Sequence, residues 1–185
     1  MSSYIPRPSI GLVVTWLVPD FPDTPDGLCG QFRAIADYCL EDAKKLDACS
    51  KGWASPAEYI LIAHALELSL KAFLAKHGLL KEEELRKDFG HNLDKLYDTA
   101  VVDHGLDLPS IPNAKRIITW VNDFHSGGSG GPVQYALRYV AQTRTMPGGC
   151  VVFEIIDAIL LAAGGSGSAR SPCWPACPAS SMTSA

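Results

Sequence analysis

Three titratable residues interrupt the apolar run "ILIAHALELSLKAFLA": His64, Glu67 and Lys71. Spacings of three and four place them on one stripe of a helix, and Glu67 before Lys71 is the favoured i,i+4 order. An imidazole, a carboxylate and an ammonium on one stripe can hold a phosphate or a metal. They can equally form a solvated face or a polar contact inside a bundle. Downstream, "RKDFGHNLDKLY" sets Arg86, Gly90 and His91 in a gap between two helical patterns. Such a gap is either a reactive site or a helix start. Gly90 permits a turn that a Cβ would hinder, after which His91 or Asn92 can cap the new helix or hydrogen-bond across the bundle. Trp120 and Phe124 at i,i+4 can stack on a base, but beside Ile117 and Val121 they read as core. Glu154 and Asp157 can be paired acids, yet their three-residue step reads as the exposed side of an apolar helix.

The six Cys do not form a disulfide or zinc framework. Cys173 and Cys177 make C-x₃-C with no second pair, whereas zinc sites usually pair four close ligands. Small buried thiols favour a reducing, cytoplasmic setting. No P-loop, dinucleotide fingerprint, H-E-x-x-H or G-x-S-x-G occurs, so neither a cofactor nor a metal is expected. A net charge of −4 gives no basic nucleic-acid footprint. The longest apolar run, "IGLVVTWLV", has nine residues, against roughly 20 for a membrane span. It reads as a buried strand or helix turn and not as a secretory signal, because no small-residue cleavage pattern follows it.

These residues must be positioned by helices. Five segments carry helical periodicity, near 31–50, 56–77, 92–104, 112–125 and 150–163. The second is the clearest: Ser55 is an N-cap, Pro56 opens the helix, Gly78 follows it, and apolar residues on almost every side mark a buried central helix. "KEEELRKDFG" reads as a short polar connection, and "VQYALRYV" as either a helix turn or an extended piece. The expected organisation is an irregular segment at 1–30, an all-α antiparallel bundle of four to five helices at 31–163, and a Gly/Ser/Pro-rich disordered tail at 164–185.

Two stretches carry a family resemblance. "HALELSLKAFLAKHG" followed by "FGHNLDKLYDTA" resembles the HEPN-type domain, the higher eukaryote and prokaryote nucleotide-binding superfamily. "IITWVNDFH" and "YALRYV" look similar to its uncharacterised members. The resemblance covers about 31–163 and implies a helical bundle that forms a homodimer. It also implies three kinds of activity. The first is a non-catalytic binding or interaction module, with a nucleotide or RNA as ligand. The second is a metal-independent ribonuclease, and the third a structural partner of an adjacent-gene protein. Ribonuclease members carry an Arg and a His spaced R-x₄₋₆-H. Here Arg86 and His91 match as R-x₄-H, the Arg to stabilise phosphate charge and the His for acid–base work. Gly90 interrupts the motif, and it precedes a middle helix instead of lying on a late one. Arg138, nearer the expected place, has no His four to six residues later. A structural role for His91 is therefore favoured, within a module that binds without catalysis.

Overall fold

Ser55 and Glu58 cap each other at the start of the second helix. The Ser55 Oγ accepts from the Glu58 N–H at 3.1 Å, and the Glu58 carboxylate accepts from the Ser55 N–H at 3.3 Å. With Pro56 in the first turn, this reciprocal cap starts α2, Pro56–Lys76. Fifteen of its residues are buried, from Glu58 to Ala75, as expected of a helix that is apolar on most sides.

A computed structural model describes residues 24–49, 55–77, 81–108, 111–125 and 148–164. These residues form α1 (Pro25–Cys49), α2, α3 (Glu82–Glu84) running into a π-helical turn (Leu85–Phe89), α4 (Leu93–Val102), α5 (Ala114–His125) and α6 (Gly149–Ala162). No strand occurs among them, and the fold is an all-α bundle. Among the described residues no helix is long and apolar enough to cross a membrane. The stretch around "IGLVVTWLV", the Gly127 to Gly131 turn, "VQYALRYV" with Arg138, and the tail from 165 onward lie outside the described residues.

Side-chain contacts give the helix directions. Lys76 near the end of α2 pairs with Asp26 near the start of α1 at 3.1 Å, so these two helices are antiparallel. The Cys29 thiol donates to the Ala163 carbonyl and Lys44 pairs with Asp157, so α6 is antiparallel to α1 and parallel to α2. The starts of α2 and α6 approach closely: a Cβ on Gly149 would lie 3.1 Å from Glu58 Oε1 and 3.3 Å from the Phe153 ring. Lys115 pairs with Asp98, and the Asn122 side chain accepts from the Leu93 N–H, which sets α5 antiparallel to α4. Helix α2 packs against α1, α4, α5 and α6. The core runs through Ile62, Leu66, Leu70 and Leu74 of α2, joined by Leu93, Leu96, Ile118, Ile155, Ile156 and Ile159.

Two expectations are corrected. The first helix begins at Pro25 and not near residue 31, so the irregular N-terminal segment does not extend to residue 30. Thr24 Oγ1 accepts from the Gly27 N–H, and proline sits in the first turn where its missing N–H costs nothing. The connection "KEEELRKDFG" is not simply polar: Leu85 and Phe89 are buried, and the segment winds into α3 and the π-helical turn. The five long helices otherwise match their expected positions within a few residues at each end, except for the earlier start of α1.

Candidate functional site

The turn after Phe89 needs a backbone that L residues avoid. Gly90 has φ +53°, and the Gly90 N–H still donates to the Arg86 carbonyl at 3.2 Å. Asn92, not His91, is the cap of α4: its Oδ1 accepts from the Lys95 N–H at 3.0 Å. That leaves the His91 ring free to reach across the bundle, where its Nδ1 lies 2.9 Å from Glu67 Oε2.

Glu67 is the hub. Its side chain is 2% exposed on α2, yet it is a carboxylate. Lys71 Nζ donates to Oε1 at 2.6 Å, and the His125 Nε2 lies 2.9 Å from Oε2, the same oxygen that faces His91. Three elements thus converge on one buried carboxylate: α2, the Gly90–His91 turn and the end of α5. Burial alone would raise the Glu67 pKa. The hydrogen bonds from His125, Lys71 and His91, together with the Lys71 charge, outweigh burial and lower it to about 2. Glu67 is therefore ionised and only accepts, so His91 carries its proton on Nδ1 and His125 on Nε2. The two imidazoles meet edge to face with centroids 5.7 Å apart.

The cluster runs from core to surface. The Lys71 side chain is 11% exposed, His125 14% and His91 58%. When His91 is neutral, its Nδ1–H is held by Glu67 and its Nε2 keeps a lone pair. A buried carboxylate that fixes the tautomer of a more exposed imidazole suits ligand contact, proton transfer or metal ligation. His64, one turn before Glu67, is half-buried. Desolvation lowers its pKa, and the charge of Glu67 opposes that shift only in part.

Arg86 lies on the π-helical turn and is exposed. Among the described residues nothing pairs with its guanidinium. Nearby cations are engaged: Lys87 pairs with Glu83 at 2.8 Å, and Lys95 Nζ contacts the Asp88 carbonyl. The expected stripe of His64, Glu67 and Lys71 is thus present, with Glu67 and Lys71 in direct contact and His91 added to them. Arg138 lies outside the described residues. Trp120 packs half-buried against the core and Phe124 is buried. Glu154 and Asp157 are exposed, and Asp157 is paired with Lys44.

His125 is the residue that sequence reasoning missed. Its signal is its position: seven residues after the buried Ile118, it falls on the inward face of α5, where a titratable group needs a buried partner. A second network supports the site from below. Asp94 accepts from Thr119 and Asn122 and pairs with Lys115, fixing the α4–α5 contact that carries His125. No protein-family model, curated protein or solved structure matches the chain.

Proposed function

We propose that the chain is a non-catalytic, HEPN-like binding or interaction module, in a homodimer, whose ligand is a nucleotide or RNA. One observation carries this reading: His91 is more than half exposed but anchored on the buried Glu67, close in sequence to the exposed Arg86, whose guanidinium has no partner among the described residues. The planar Arg86 guanidinium is a donor that phosphate oxygens require, and the preordered His91 ring accepts a hydroxyl proton at Nε2 when neutral and donates from Nε2 to a phosphate oxygen only as the imidazolium. The resemblance rests on the Glu67/Lys71 helix and the segment containing Gly90 and His91, and the hub joins these two stretches. The structural-partner reading has less support. Among the described residues only a few large apolar side chains are well exposed, Tyr38, Val102 and Leu161 foremost, whereas a docking face is built from a contiguous apolar patch.

The ribonuclease reading keeps one specific observation in its favour. With Nδ1–H on Glu67, the His91 Nε2 is the nitrogen that a general base would use. Binding and cleavage of single-stranded RNA, measured together in the presence of chelator, separate the readings. The expected result is fluorescence-anisotropy binding without cleavage, weakened about tenfold in Arg86→Ala and in His91→Ala, the scale of a lost charged hydrogen bond. Metal-free cleavage by the natural chain, abolished in both variants with folding intact, would make it a ribonuclease. Absence of RNA and nucleotide binding altogether would remove the ligand from this reading.

A further inference from the structure

We propose that Glu67, His91 and His125 form a binding site for a divalent first-row metal ion, with Zn²⁺ the best fit. This inference does not depend on the nucleotide or RNA reading. One ligand atom from each residue lies within 4.8 Å of the other two. The three come from α2, the Gly90–His91 turn and α5, so the fold assembles them, and no local motif announces them. Both imidazole nitrogens already lie 2.9 Å from Glu67 Oε2. Zinc bonds to nitrogen and oxygen are about 2.0–2.2 Å, which sets tetrahedral donors roughly 3.3 Å apart. A metal can therefore take the place of the two shared protons after an opening of a few tenths of an ångström, each proton moving by tautomer exchange to the other nitrogen of its own ring, Nε2 of His91 and Nδ1 of His125.

The donor set itself points to the metal. Two imidazoles and one carboxylate are the ligands of open, three-residue zinc sites, which leave a fourth position for water or substrate. Hard cations such as Mg²⁺ and Ca²⁺ prefer all-oxygen shells. Lys71 occupies Oε1 at 2.6 Å, so it acts as the outer partner that orients the carboxylate and leaves Oε2 for the ion. The exposed His91 ring provides the way in. Lys71 also balances the Glu67 charge, so the bound ion keeps its positive charge and the open position favours an anion.

Cobalt(II) added to the metal-stripped full chain tests the site, because its visible d–d absorption rises strongly when it leaves the six-coordinate aqua ion. One equivalent is expected to give an intense visible band, displaced by Zn²⁺. No thiolate-to-cobalt charge-transfer band should appear, which separates this site from Cys173 and Cys177. His91→Ala and His125→Ala should each weaken binding by more than the roughly 10–100-fold typical of losing an outer partner. His77→Ala, an exposed histidine stacked on His104, should bind as the natural chain does. Circular dichroism checks that each variant is folded; His91, being exposed, gives the decisive variant if His125→Ala does not fold. The proposal is overturned if no intense band appears in excess cobalt, if the band survives in folded His91→Ala, or if it comes with a thiolate band.

Discussion

Glu67→Ala is expected to lower the unfolding free energy by roughly 3–5 kcal/mol, the cost of breaking a buried ion pair from one side. The substitution removes the acceptor of three donors at once. Lys71 Nζ, 2.6 Å from Glu67 and nearly buried, would be left without its carboxylate. His125 would lose its partner at 14% exposure. A Glu67→Ala/Lys71→Met double variant should recover much of the loss, because an apolar pair removes the stranded charge. Urea unfolding of the three chains is the measurement. A single-variant loss under about 1 kcal/mol would mean that water reaches the hub.

The same hub sets the acid response. The folded pKa of Glu67 is held at about 2, below its ordinary value. A depressed carboxylate pKa means that the unfolded chain binds more protons in acid. The stabilisation is therefore complete above the ordinary carboxylate range and is lost as pH falls towards 2. His64 acts in the same direction: its pKa is lowered by burial, so protonation below its ordinary value favours the unfolded chain. Unfolding midpoints should fall with pH in the natural chain. Glu67→Gln should flatten the acid part of that slope.

Leu70→Ala is expected to cost about 2–5 kcal/mol by cavity formation. Leu70 is fully buried in the middle of α2, the helix that contacts all four other long helices. With neighbours on every side the site cannot collapse, which places the loss toward the upper part of that range. Chemical unfolding reads it directly. A loss below about 0.5 kcal/mol would remove α2 from the centre of the core.

Most of the bundle is legible in the sequence, because its signals are local. Ser55 and Pro56 state where α2 begins, and the positive φ of Gly90 matches the turn read there. Leu85 and Phe89 at i,i+4 carry the π-helical turn, but the charges around them hide that spacing. The start of α1 was hidden by Pro25 and Gly27, residues that usually break helices and here sit in a first turn. The hub was half legible. Glu67 and Lys71 lie one turn apart on one helix, so spacing reveals them. His91 and His125 reach the same carboxylate from 24 and 58 residues away. That meeting depends on how α4 and α5 pack on α2, which no periodicity encodes. The cap of α4 shows the same limit: His91 and Asn92 were equivalent candidates until the turn at Gly90 aimed one at the backbone and the other at Glu67.

In the proposed function, Glu67 holds His91 at the surface as a ligand contact. Nitrogen-15 spectra of the histidine side chains, recorded with and without a short single-stranded RNA in chelator, test it most directly. The predicted result is a free chain with the proton on Nδ1 of His91, and a shift of its Nε2 on RNA addition while Nδ1 stays bonded to Glu67. The contradicting result is a His91 whose proton lies on Nε2 in the free chain, or whose two nitrogens do not move when RNA is bound.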